Sequence, residues 1–135
     1  MKSLKYQFLI VDIGFILYWL ITAFQLLPKG YLFNDYQNVI IVAWNWSFLP
    51  LDLFISFTGI SSLILFSKSN RLWKQLAIIS LALTFCSGLQ AIAFWAIKKD
   101  FDIAWWIPNL YLLIYPLFYI PKMLRETTNE QNIDK

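Results

Sequence analysis

The stretch that decides the fold is residues 38–66, NVIIVAWNWSFLPLDLFISFTGISSLILF, in which only one residue is charged. As a straight helix, these residues would be roughly 43 Å long, which exceeds the ~30 Å hydrocarbon core of a bilayer. Pro50 removes a backbone donor and clashes with the preceding turn, so a straight helix is not expected. Two interpretations remain: one tilted helix kinked near residues 45–50, or a short interfacial segment over residues 36–46 followed by a span over residues 48–66.

Three further apolar stretches lie outside this one, and each is long enough to cross a membrane. They cover residues 6–27, 72–97 and 103–124. The chain is 59% hydrophobic and only 14% charged, whereas soluble domains have about 25% charged residues. The sequence therefore predicts an all-α fold, an integral membrane four-helix bundle over residues 1–124. We expect the polar tail, residues 125–135, to be disordered and cytoplasmic.

Lysine and arginine residues are divided unevenly between the two ends of the predicted bundle. The end that holds both termini has Lys2, Lys5, Lys68, Arg71, Lys74, Lys122 and Arg125. The opposite end has only Lys29, Lys98 and Lys99. Because cytoplasmic loops carry the excess of positive residues, this division predicts a multi-pass protein of the cell membrane with both termini in the cytoplasm.

Several residue types that membrane enzymes use are missing from the sequence. It has no histidine and a single cysteine, Cys86, so it lacks the usual metal ligands and any CxxC pair. Its four glycines form no phosphate-binding loop, and its cations form no stripe suited to nucleic acid. We therefore predict no metal, no cofactor and no nucleic-acid partner, and the sequence favours a protein without enzymatic activity.

Two aspartates are the charged residues that lie well inside the apolar stretches, and an ionisable group in a membrane indicates function by default. Asp52 shares a helical stripe with Asn45, Ser56 and Gly59, directly after Pro50. Polar side chains beside an interrupted backbone are typical of a cavity that binds a ligand. The alternative is a polar seam that holds helices together, at about 0.6 kcal/mol per hydrogen bond.

The second aspartate, Asp12, lies on a mainly aromatic and apolar helix face that includes Trp19. Its carboxyl could carry a proton or pair with a cation. Alternatively, it locks helix packing by accepting a hydrogen bond from a backbone group or a tyrosine. Depending on how residues 38–66 cross the membrane, Asp12 and Asp52 either approach each other or face opposite leaflets. The sequence leaves open whether they share one site.

Four other polar residues are candidates for the same interior. Gln90 lies on the third span, where we expect it to reach the centre of the bundle. Asn109, Tyr111 and Tyr115 lie on the fourth span, and tyrosine rings can flank a carboxylate or bind a cation through their faces. The third span also has small residues on one side, which favours close helix packing. These small residues are Ser80, Thr84, Ser87, Gly88 and Ala91.

The stretches WNWSFLPLDLFISFTGISSL and IPNLYLLIYPLFYI resemble the YvaD family of small four-span bacterial membrane proteins, over nearly the whole chain. This resemblance implies a four-span topology. It implies no function, because the family has no established activity to transfer. In having an acidic residue in the first of four spans, the chain is similar to small multidrug resistance transporters. In having acidic residues in the first two spans, it is also similar to the EXPERA group of sterol isomerases and amine-binding receptors. Both likenesses are at the level of the fold.

Three functional hypotheses follow from these features. The leading one is binding or transport of a small cationic or aromatic amphiphile, recognised by a carboxylate and aromatic walls. The second is an accessory or assembly protein in which the small-residue face packs against a partner or a second copy, giving a homodimer. The third is an isomerase like those of the EXPERA group, although the lack of histidine argues against it. In each case the lipid bilayer is the surrounding partner.

Overall fold

The computed structural model describes residues 2–28, 31 and 35–133, and in these residues regular structure is helical throughout. The helices are α1 (Lys2–Ala23), α2 (Val39–Ser47), α3 (Leu49–Ser67), α4 (Trp73–Lys98) and α5 (Ile103–Ile133). With α2 and α3 counted together, four helical segments are long and apolar enough to cross a membrane. The predicted all-α, four-span fold is therefore confirmed, whereas the cytoplasmic placement of the termini remains a prediction.

The second span is interrupted at a single residue, Phe48. Asn38 begins α2 by accepting a hydrogen bond from the Ile40 backbone N–H at 3.0 Å. Phe48 keeps right-handed helical dihedral angles, and Pro50 follows at the start of α3. The Asp52 N–H donates to the Phe48 carbonyl at 2.9 Å, so helical bonding resumes at once. The local geometry is that of a helix interrupted at one residue. Whether residues 36–46 cross the membrane or lie at its surface stays a prediction.

The main core lies where α1, α3, α4 and α5 pack together. α3 packs against α1 and α4, and α4 in turn packs against α5. Fully buried side chains from all four helices fill the interior. The largest of them are Phe8 and Leu4 from α1, Ile55 from α3, Leu81 from α4 and Met123 from α5. A second cluster, built on Ile41 and Trp95, joins α2 to the far end of α4.

The small-residue face of α4 is buried inside the bundle. Ser80 donates a hydrogen bond to the Ile55 carbonyl of α3 at 3.2 Å. Gly88 lies so close to α5 that an added Cβ would be 2.6 Å from the Leu113 backbone nitrogen. This face, which the assembly hypothesis assigned to a partner, is therefore covered by helices of the same chain, as is common for small residues in membrane helices.

The bounds of two helices differ from the predicted spans. α1 begins at Lys2 and ends at Ala23, about one turn earlier than predicted, because a helix need not begin and end where the apolar stretch does. α5 continues to Ile133 through the polar tail, which is helical and not disordered. Intrahelical hydrogen bonds such as that from Thr127 Oγ1 to the Met123 carbonyl, at 2.9 Å, accompany this extension. Residues 134 and 135 lie outside the described part of the chain.

Candidate functional site

A cavity of about 310 Å³ lies between α1, the α2–α3 junction, α4 and α5. This volume is at the lower end of the range of about 300–1,000 Å³ for small-molecule sites. Its walls are mainly aromatic and aliphatic, with a few polar groups. They are formed by Ile10, Val11, Gly14, Phe15, Tyr18, Trp19, Trp44, Asn45, Phe48, Asp52, Ser87, Ala91, Trp105, Pro108, Asn109, Tyr111 and Leu112. The cavity therefore has the apolar lining and sparse polar groups typical of a ligand site.

Asp52 is the carboxylate of this cavity, and side chains from two other helices hold it in place. It lies in the first turn of α3 and is 4% exposed. Its Oδ2 accepts a hydrogen bond from Trp19 Nε1 of α1 at 2.9 Å. Its Oδ1 accepts one from Ser87 Oγ of α4 at 3.2 Å. Each oxygen retains further acceptor capacity, so the carboxylate is both positioned by the protein and able to bind a ligand.

Asn45, one of the last residues of α2, forms a second polar group on the cavity wall. Its Oδ1 accepts a hydrogen bond from the Tyr18 hydroxyl of α1 at 2.9 Å. Its Nδ2 is buried and has no hydrogen-bond partner among the described residues. Asn45 and Asp52 are seven residues apart, or roughly 10 Å along the helix axis. The two polar groups therefore border the same cavity at different heights.

Aromatic rings surround the part of the cavity near the α2–α3 junction. Trp44 stacks on Phe94 with ring centroids 3.9 Å apart, and it also contacts Phe48 edge-on at 4.9 Å. Tyr18 contacts Trp105 edge-on at 6.2 Å. The faces of tryptophan and tyrosine rings attract cations, most strongly where water is excluded. Together with the Asp52 carboxylate, these rings give the cavity wall an electrostatic character that favours positive charge.

Asp12 lies outside the cavity wall, in the contact between α1 and α3. Its side chain is 1% exposed and packs against Gly59. Gly59 is seven residues, about two helical turns, beyond Asp52 on α3. The Ser56 hydroxyl donates to the Asp12 backbone carbonyl at 3.2 Å, not to its carboxyl group. The two aspartates therefore occupy separate environments and do not form one site.

The structure brings together four of the seven residues that the sequence proposed for the site. Asn45, Asp52, Asn109 and Tyr111 line the cavity. The Asn109 amide donates to the Trp105 carbonyl of its own helix at 2.8 Å, and Tyr111 lies at the bundle surface, where its hydroxyl donates to Gln7. Asp12, Tyr115 and Gln90 do not line the cavity.

The prediction that Gln90 reaches the centre of the bundle is wrong. Gln90 is exposed on the outside of α4. One residue rotates a helix by about 100°, and Gln90 precedes the buried Ala91 by one position, so it is turned away from the core. Tyr115 of α5 is buried in the main core, and its ring stacks on that of Tyr111 with the centroids 5.0 Å apart.

Sequence reasoning missed the side chains that hold the site in place. Trp19 was assigned to the face of Asp12, yet its indole N–H donates to Asp52. Tyr18 and Ser87 have comparable roles at Asn45 and Asp52. The sequence did contain a signal for the contact between Trp19 and Asp52. A buried indole N–H inside an apolar span requires an acceptor, and few side chains of the spans can supply one.

The fold and the cavity together define a class of protein: a multi-pass membrane protein of four apolar helical spans with a polar group inside. Residues 4–130 match the model of a family of unknown function, DUF5360. The chain is 52% identical over 126 residues to the uncharacterized protein YvaD of Bacillus subtilis (strain 168), covering 93% of this chain and 95% of that protein. The chain belongs to this family, as its resemblance to the YvaD family indicated. No solved structure matches it significantly.

Proposed function

We propose that this protein binds a small cationic, aromatic amphiphile in the cavity between α1, the α2–α3 junction, α4 and α5, within the cell membrane. The observation that supports the proposal best is the Asp52 carboxylate on the wall of an otherwise aromatic and aliphatic cavity. A carboxylate beside tryptophan and tyrosine faces suits an ammonium group attached to an apolar body. Such a ligand enters the membrane readily, because its apolar part partitions into lipid.

The accessory-protein hypothesis has less support. It depended on the small-residue face of α4, and Gly88 on that face is in close contact with α5 of the same chain. The isomerase hypothesis needs a second catalytic group beside Asp52. Among the described residues the other buried aspartate, Asp12, lies about two turns away at Gly59 and outside the cavity.

The proposal is tested by thermal unfolding of the purified protein in detergent micelles with benzyltrimethylammonium and its uncharged isostere, neopentylbenzene. We expect the cation to raise the unfolding temperature progressively with its concentration, in line with about 2.7 kcal/mol of stabilisation at one hundred times its dissociation constant. The neutral compound should have a much smaller effect, because it gains only the contact with the apolar walls.

A blocking variant distinguishes the cavity from the lipid-facing surface. Gly14 lines the cavity, and a Cβ built on it meets no atom within 4 Å, so Gly14→Leu fills space without a backbone clash. Ala82→Leu places the same side chain on the exposed side of α4. Gly14→Leu should abolish stabilisation by the cation, and Ala82→Leu should preserve it. Equal stabilisation in both variants, or none in the wild type, would contradict the proposal.

A further inference from the structure

The Asp12 carboxyl is enclosed without any compensating group. Both of its oxygens are fully buried, and neither has a hydrogen-bond partner among the described residues. A buried carboxylate is normally paired or hydrogen-bonded, because an isolated charge in a low-dielectric interior is costly. Asp52 follows this rule through its bonds to Trp19 and Ser87, whereas Asp12 departs from it.

The space beside the carboxyl is too small for a water molecule or a metal ion on the side of α3. A Cβ built on Gly59 would be 2.2 Å from Asp12 Oδ2, so the carboxyl is in direct contact with the α3 backbone. The nearby Ser56 hydroxyl is already engaged with the Asp12 backbone carbonyl. A bound ion that neutralises an Asp12 anion therefore does not fit between the carboxyl and Gly59.

The neighbouring helices present no positive group to the carboxyl in the described part of the chain. The one charged residue of α3 is Asp52, and the lysines of α4, Lys74 and Lys98, occupy its two ends. α5 contributes the uncharged hydroxyl of the buried Tyr115, and its charged residues, which include Lys122, Arg125 and Glu126, lie toward its C-terminal end. None of these cations bonds to the Asp12 carboxyl in the described part of the chain.

We propose that Asp12 is a proton-binding site in the interior of the bundle, distinct from the ligand cavity. The carboxyl holds a proton while α1 and α3 are in contact at Gly59, because the neutral acid needs far less solvation than the anion. Release of the proton requires water at the carboxyl, and therefore separation of the two helices. Val11 and Phe15 of α1 line the cavity, so this separation also moves the cavity wall.

Infrared difference spectroscopy of wild type and Asp12→Asn in lipid bilayers at neutral pH tests the protonation state directly. Asparagine has nearly the shape of aspartic acid, so the packing against Gly59 is preserved. We expect the wild type to show a carbonyl stretch of a neutral carboxylic acid that Asp12→Asn lacks and that Asp52→Asn retains. A difference spectrum with the bands of an ionised carboxylate would overturn the proposal.

Two further measurements keep the test independent of any single variant. Wild-type protein labelled with ¹³C at the aspartate carboxyl should show the same neutral-acid band at an isotope-shifted frequency, with no mutation at all. Between about pH 5 and the pH at which the folded protein itself releases this proton, the unfolded state has an ionised Asp12 while the folded state keeps the proton. The folding constant of the wild type should therefore fall about tenfold per pH unit relative to Asp12→Asn. A ratio that is independent of pH would also contradict the proposal. Neither measurement uses a ligand, so failure here leaves the proposed function untouched.

Discussion

We expect Asp52→Asn to weaken the binding of benzyltrimethylammonium about thirtyfold, equivalent to about 2 kcal/mol. The variant removes the negative charge from the cavity but not the side chain. An asparagine can accept the Trp19 hydrogen bond through its oxygen and donate to Ser87 Oγ through its amide, since a hydroxyl is also an acceptor. The three helices that meet at this residue should therefore stay packed together, and the substitution should reduce only the affinity for the cation. Isothermal titration in detergent micelles measures the change.

The control for this prediction is the next residue along α3. Leu53 is 49% exposed on the outside of the bundle and has no part in the cavity wall. Leu53→Ala should leave the affinity for the cation unchanged, and neopentylbenzene should bind wild type and Asp52→Asn almost equally. If Asp52→Asn and Leu53→Ala had the same effect on the cation, Asp52 would be a packing residue that joins three helices.

Gly88→Ala should be the most destabilising single-methyl addition in the bundle, by about 3 kcal/mol, the upper end of the usual range for overpacking. The added Cβ would lie 2.6 Å from the Leu113 nitrogen and 2.8 Å from the Asn109 carbonyl oxygen. These are backbone atoms of α5 and cannot rotate aside, so α4 and α5 must move apart. Because Asn109 and Leu112 line the cavity, ligand affinity should fall as well. Unfolding of the variant in mixed micelles measures the loss.

Two glycines of the same chain are matched controls for this substitution. Gly14→Ala meets no atom within 4 Å and should be neutral or slightly stabilising, since alanine favours helix. Gly59→Ala meets the Asp12 carboxyl, which is a side-chain group and not a backbone atom of another helix, so its cost should be intermediate. Combining Gly59→Ala with Asp12→Ala should recover stability. Equal stability of all three alanine variants would contradict the close α4–α5 contact.

Much of the fold could be predicted because hydropathy marks the segments that lie in the hydrocarbon region. The interruption near Pro50 followed from the missing backbone donor. Hydropathy did not give the ends of α1 and α5, since a helix can continue past the apolar stretch into polar sequence. Residues 125–133 are polar and yet continue α5, so polarity alone did not indicate where the helix ends.

The site was only partly predictable, because helical spacing gives the residues that share a face but not the neighbour that the face meets. Spacing placed Asn45 and Asp52 on one stripe, and both line the cavity. Spacing could not show that Trp19 and Ser87 converge on Asp52 from separate helices, as this depends on tertiary packing. The outward position of Gln90 depends on the rotation of α4 about its axis, which the sequence left open.

The most direct test of the account is to locate the bound ligand by photolabelling. A benzyltrimethylammonium ion with a diazirine on its ring would be photolysed with the protein in lipid nanodiscs, and the labelled residues identified by peptide mass spectrometry. We expect label on cavity residues such as Phe15 and Trp44, and its loss with excess benzyltrimethylammonium and in Asp52→Asn. Label confined to the outward-facing Phe54 and Phe57, unaffected by the competitor, would show that the cavity is not a cation-binding site.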